Sequence, residues 1–279
     1  LLRENRTDEM LALVEQMAAD GRGDADALTG LIQAQIAEGN IAEATALLER
    51  QRETYPEDPL LKFLRAGLHL VEGDAEAAEA TYREILDDHP GAAPPLRVLH
   101  GLLRRQGRDD AAQALLQETR AEAPEAVLPR LLLAEQAERT GDTDTAIALY
   151  EDIYADDGDN LVVANNLANL LMAREDDPEA LDRAHILARR LRGTDVPAFQ
   201  DTYGWIAHLR GDHEQALTYL EPAAEALSGE PTVLYHLGMT YLALDRPEDA
   251  RAALQRTLEL AGDSTLPEAA RARAALEGL

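Results

Sequence analysis

The sequence predicts an all-α fold: a right-handed superhelical solenoid of antiparallel helix pairs, ending in a C-terminal capping helix. Three observations carry this expectation. Ala44, Ala78, Ala112, Ala146, Ala180, Ala216 and Ala250 fall in phase, 34 residues apart except for one interval of 36. Five residues before each stands a turn residue: Gly39, Gly73, Gly107, Gly141, Glu175, Gly211 and Asp245. Between these marks the apolar residues recur at helical rather than strand spacing. A fixed period of this length means one supersecondary unit copied along the chain. Such an array offers an extended surface rather than a catalytic pocket.

Taken in order, residues 1–24 form a partial repeat. Thr7 to Ala19 reads as its second helix, with Met10, Leu13, Val14 and Met17 on the inner face. Its first helix would lie upstream of Leu1, so this segment is expected to be weakly protected or to associate with a second copy of the chain. Full repeats come next at 25–58, 59–92, 93–126, 127–160, 161–196, 197–230 and 231–264. In 59–92, Pro59 opens a helix whose stripe is Leu61, Phe63, Leu64, Leu68 and Val71, and Gly73-Asp74 breaks it. A second helix places Ala78, Tyr82, Ile85 and Leu86 on one face and stops at Pro90. Pro56 and Pro124 repeat that ending.

Acidic residues gather just after the turns (Asp74 and Glu76, Asp142 and Asp144, Glu248 and Asp249), where they complement helix dipoles. Pro178 and Pro247 take first-turn positions that need no N–H. The two extra residues of 161–196 are placed in a polar loop, 191–196, containing Gly193, Thr194 and Asp195. Residues 265–279 give the capping helix, opened by Pro267, that shields the last repeat. No linker or change of composition interrupts 1–279, which reads as one solenoid.

Composition narrows the function. With 53 acidic and 26 basic residues the net charge is −27, which repels nucleic acid and anionic bilayers. Lys62 is the single lysine. The absence of cysteine removes disulfides, thiol nucleophiles and zinc fingers. There is no apolar run long enough to span a membrane. His69, His89, His100, His185, His208, His213 and His236 are scattered, with no HExxH pattern. His208 and His236 come from adjacent first helices and are expected near each other, without an obvious third metal ligand. No phosphate-binding loop or nucleophile elbow is present. The reading is therefore a non-enzymatic protein with no cofactor and no metal.

The repeat itself resembles the tetratricopeptide repeat. The units 197–230 and 231–264 match best: Gly204 and Gly238 are the small first-helix residues, preceded by Tyr203 and Leu237, with Leu220 and Leu254 after the alanines. Elsewhere Ile32 and His100 replace the small residue, and Gly158, Arg192, Ser228 and Gly262 replace the terminal proline. The resemblance implies a protein-binding role, with first helices lining a concave groove. On that face the early units would present Thr29 and Gln33, Phe63 and Gly67, then Gly101 with Arg97, Arg104 and Arg105 as a secondary binding candidate. The later units would present Asn165, Asn166 and Asn169, then Asp201, Trp205 and His208, then Thr232, Tyr235, His236 and Met239, the primary candidate site. Trp205, the only tryptophan, reads either as an aromatic anchor or as packing between helices, and the two can coexist.

The strings Asn165-Asn-Leu-Ala-Asn-Leu-Leu, Asp201-Thr-Tyr-Gly-Trp-Ile and Tyr235-His-Leu-Gly also resemble a three-repeat signature of bacterial cell-envelope proteins. Among these are proteins tied to exopolysaccharide export and to surface-protein sorting, which usually carry an aromatic where Asn169 stands. That kinship implies a scaffold for a protein or peptide within an envelope assembly, periplasmic or envelope-associated rather than cytoplasmic. Two alternatives are a cytoplasmic chaperone-type adaptor gripping peptide C-termini and direct binding of polysaccharide by Trp205 and Tyr235.

Overall fold

The computed structural model describes residues 25–174, 177–262 and 264–279. Every element among them is helical. In chain order they are α1 (Ala25–Ala37), α2 (Ile41–Thr54), α3 (Pro59–Glu72), α4 (Ala75–Asp88), α5 (Ala93–Arg105), α6 (Asp109–Glu122), α7 (Val127–Thr140) and α8 (Thr143–Asp156). They continue as α9 (Leu161–Met172), α10 (Pro178–Ala188), α11 (Pro197–Leu209), α12 (His213–Ala226), α13 (Pro231–Ala243), α14 (Pro247–Ala261) and α15 (Pro267–Glu277). Each odd helix up to α13 is followed within a few residues by the next even helix, and α15 packs on α13 and α14. The half-repeat expected from Met10, Leu13, Val14 and Met17 lies outside the described residues. By its contacts the chain divides into two compact units, Leu1–Leu132 and Leu133–Leu279.

The turns form for the reason the glycines suggest. Gly39, Gly73, Gly107, Gly141 and Gly211 all have φ between 71° and 87°, the left-handed region open to glycine without strain. Asp245 stands at the same place in the last repeat and adopts φ 56°, the one non-glycine among the described residues to do so. At two of these turns the acidic residue next in sequence caps the next helix: Asp74 Oδ1 accepts from Ala77 N and Asp142 Oδ1 from Thr145 N. Ala180 keeps the 34-residue spacing from Ala146, so the extra length of 161–196 falls after it, and the loop after α10 is held by buried Leu191 and by Gln200 Nε2 donating to the Thr194 carbonyl.

In the first unit the core is built from Leu31, Ile32, Ala44, Leu47, Leu48, Leu61, Leu64 and Leu68. Ile32, at the expected small-residue place, is fully buried. Lys62 is also enclosed, its ammonium meeting Glu57 at 2.8 Å, Glu84 at 2.7 Å and Asp88 at 3.7 Å. The hydrogen bonds to Glu57 and Glu84 hold it above the ordinary lysine range. In the second unit one cluster centres on Leu220, Ala223, Val233 and Leu237, and another on Tyr235, Leu254 and Ala272. Arginines bridge positions about one repeat apart: Arg108 to Glu79, Arg183 to Glu151, Arg190 to Asp159 and Arg210 to Asp182.

The in-phase alanines are between 0% and 2% exposed. A Cβ on Gly204 would lie 2.7 Å from Leu220 Cγ, and one on Gly238 2.8 Å from Leu254. Glycine there is a packing requirement. Gly204→Ala should therefore lower the melting temperature, overpacking at about 1–3 kcal/mol outweighing a helix-propensity gain of about 1 kcal/mol. Calorimetry checks this, and an unchanged or raised melting temperature would contradict it.

Candidate functional site

The primary candidate residues lie on α9, α11 and α13 of the second unit. Asn160 caps α9 by accepting from Val163 N, which fixes the start of the helix carrying the three asparagines. Asn165 is buried, and its Nδ2 donates to Asn166 Oδ1 at 3.3 Å. Asn166 Nδ2 donates in turn to the Tyr150 hydroxyl, which donates to Glu138 Oε2 at 2.6 Å. Burial and that carboxylate push the Tyr150 phenol far above its usual range. Asn165 Oδ1 has no hydrogen-bond partner and no solvent contact, an exception to the rule that buried acceptors are satisfied.

Asn169 connects α9 to α11, its Oδ1 accepting from Thr202 Oγ1 at 3.1 Å. Asp201 connects α11 to α13, accepting from His236 Nδ1 at 2.8 Å. Thr240 completes the network. Its hydroxyl donates to the His236 carbonyl at 2.8 Å, and its Oγ1 lies 3.0 Å from His208 Nδ1. A hydroxyl has one proton to give, so His208 Nδ1–H is the donor in the second bond. Burial, then His213 and His236, depress the His208 pKa from about 6.5 to about 4. The ring is neutral at pH 7, in agreement with the donor role.

Trp205 sits at the middle of this network. Its indole stacks on His208 with ring centroids 4.5 Å apart and planes within 10°, and on His236 at 4.2 Å and 13°. Tyr235 meets it at a tilt, 5.8 Å away. The indole remains half-buried rather than enclosed, and it packs with Met239 beside the cluster of Tyr235, Leu254 and Ala272. His208 and His236 are thus brought together through Trp205 and Thr240. No group of three metal-ligating side chains is found among the described residues.

The face differs from the expected one in a definite way. Asn165, Tyr235 and His236 are only 8%, 5% and 7% exposed, so they support the face from beneath instead of presenting themselves on it. Asn166, Asn169, Asp201, Trp205, His208, Thr232 and Met239 keep partial exposure. Burial wins at Tyr235 because the capping helix α15 closes over its cluster. Thr202 and Thr240 are not among the sequence-derived candidates, yet they make the interhelix bonds. Their signal is positional: each lies in a first helix about one repeat from its partner, Asn169 or His208. The secondary candidates Arg97, Arg104 and Arg105 lie exposed on α5 of the first unit.

Two family models, both described as tetratricopeptide repeat, match this chain at residues 1–68 with 207–276 and at residues 101–160. The chain belongs to the tetratricopeptide repeat family, whose domains bind proteins or peptides. Among curated proteins no relative matches it. Solved structures share the fold at low identity. YrrB, described as a TPR protein with an unusual peptide-binding site, is 16% identical at a TM-score of 0.51, over 69% of this chain and 97% of that one. PilF of Pseudomonas aeruginosa is 19% identical at 0.55, over 75% and 94%. The Cut9–Hcn1 hetero-tetramer of the APC/C is 15% identical at 0.56, covering 98% of this chain and 52% of that one. No helix among the described residues is long and apolar enough to cross a membrane.

The depressed pKa of His208 gives a testable pH dependence. As pH falls, the unfolded chain takes up this proton first, near 6.5, and the folded chain only near 4. The stabilisation is present above about pH 6.5 and is lost as pH falls towards 4. His208→Asn keeps a donor for Thr240 but cannot titrate. Between those pH values its melting temperature should fall less steeply than the parent's, measured by circular dichroism, and parallel curves would contradict the assignment.

Proposed function

We propose that the second unit holds a protein or peptide segment against the α9–α11–α13 face, with Trp205 as its main contact. One observation carries this reading: a partly exposed indole held in one orientation by two imidazoles, which are themselves fixed by Asp201 and Thr240. A rigid aromatic loses little conformational entropy on binding, and such residues dominate interface energetics. The peptide-binding site named for YrrB supports the same kind of use on the same fold. The role is that of a non-enzymatic scaffold.

The envelope setting rests on the three-repeat signature around Asn165, Asp201 and Tyr235, and it makes this scaffold one part of a bacterial envelope assembly, in the periplasm or bound to the envelope. Membrane fractionation of the tagged full-length protein tests that placement, and recovery in the cytoplasm alone would remove it. Direct sugar binding ranks lower. The indole face is already engaged by imidazoles and Tyr235 is buried, so stacking on a sugar would first have to displace a partner. A carboxylate-clamp adaptor ranks lower too, since Arg97, Arg104 and Arg105 come two repeats before Asn165, Asn166 and Asn169, and the nearby Asp201 would repel a carboxylate.

Because Trp205 is the sole tryptophan, its intrinsic fluorescence reports on the face directly. Candidate envelope peptides should shift its emission on titration. Trp205→Ala should weaken binding by about 2 kcal/mol or more, while lowering stability by less than the roughly 3–5 kcal/mol expected for a core aromatic. A full core-sized loss of stability, with partner affinity unaffected, would sink the proposal.

A further inference from the structure

We infer that the first unit carries a second interaction surface, on α3 and α5, that accepts an acidic segment of a partner protein with apolar residues beside its carboxylates. Arg97, Gly101 and Arg105 recur one turn apart along α5, with Arg104 next to them. All three arginines are exposed. Neighbouring arginines of this unit are neutralised internally: Arg65 meets Glu49 and Glu72, and both Arg83 and Arg108 meet Glu79. Arg97 and Arg105 make no ion pair or hydrogen bond among the described residues, and Arg104 reaches only Asp109, at 3.5 Å. Arg104 and Arg105, in the last turn, gain something from the helix dipole. Arg97, near the start of α5, does not. On a chain of net charge −27 the unpaired guanidinium groups of Arg97 and Arg105, about two turns apart on a single helix, leave positive charge for a partner's carboxylates.

The glycines give the surface its shape. Phe63, Gly67 and Val71 occupy on α3 the same frame positions that Arg97, Gly101 and Arg105 occupy on α5, 34 residues later. A Cβ on Gly67 would meet only the Tyr82 hydroxyl, at 4.0 Å, and one on Gly101 only Arg105 Nη1, at 3.5 Å. Packing demands neither glycine, in contrast to Gly204 and Gly238. Glycine inside a helix is nonetheless unfavourable relative to alanine, and a close backbone approach by a ligand is a reason to keep it. Val71 is 51% exposed, so α3 offers an apolar strip in register with the cationic strip of α5. In the second unit, partners about one repeat apart do meet across first helices, as Asp201 meets His236. An extended segment laid along the two glycines, where Arg105 already leans over Gly101, would place carboxylates against the arginine forks, which suit them in bidentate geometry, and apolar side chains against Phe63 and Val71.

The test is fluorescence anisotropy of the full chain with a short labelled peptide of glutamate, leucine and serine, beside its lysine counterpart. The acidic peptide should bind, and Arg97→Ala with Arg105→Ala should weaken it about tenfold or more. Trp205→Ala should leave that affinity unchanged, which keeps this surface separate from the one on the second unit. Gly67→Ala with Gly101→Ala should raise the melting temperature while weakening the peptide, a pairing that simple misfolding cannot produce. No binding of the acidic peptide, or binding indifferent to the arginine and glycine variants, would overturn the inference. Association of the lysine peptide alone would do the same, since net charge accounts for it.

Discussion

At one position in each full repeat stands an alanine so enclosed that a larger side chain would have to displace its neighbours. Ala44, Ala78, Ala146, Ala216 and Ala250 are completely buried there, and Ala112 and Ala180 nearly so. In the last two full repeats the facing helix meets this constraint with glycine, and Leu220 and Leu254 fill the space that a Cβ would take. Close approach sets the angle between the paired helices. It also sets which residues of the first helix are left over, and those residues form the binding face. Copying the unit accounts for the rest: the left-handed turn at Gly39, Gly73, Gly107, Gly141, Gly211 and Asp245, the acidic caps at Asp74 and Asp142, and the register that brings Asn169 to Thr202 and Asp201 to His236.

That register explains why the candidate site is rigid. Side chains about one repeat apart meet on neighbouring helices, so a polar residue at one position recruits its partner from the next repeat. Asp201, His236, Thr240 and His208 form a connected set in which the imidazole tautomers are fixed by their acceptors. Trp205 is held by stacking on both rings. A surface indole would ordinarily sample several rotamers, and ordering it on binding would cost free energy. Here the fold has already met that cost, which is what preorganisation means for an interface.

Much of this was legible in the sequence because a repeat reports itself many times. The alanine frame located the helix pairs, the glycines located the turns, and even the exception at Asp245 held the expected backbone conformation. The site was legible only in part. A periodic frame tells which residues share a face, but not how deep each one sits. Tyr235 and His236 share the face of Trp205, yet the capping helix and the indole cover them. Thr202 and Thr240 carry no chemical signal alone, since threonine is ordinary in a helix until its neighbour about one repeat away is considered. The pairing of Arg97-Gly101-Arg105 with Phe63-Gly67-Val71 was present in the frame. Its meaning depended on knowing that the glycines pack against so little.

The central claim is that each repeat is held by its own alanine-sized contact and by its immediate neighbours. Hydrogen exchange read by mass spectrometry on Ala216→Leu tests it most directly. The account predicts lost protection through α11 and α12, a smaller loss in α10 and α13, and little change in α8 and α15. A uniform loss across the whole second unit would show a single cooperative core and contradict the account.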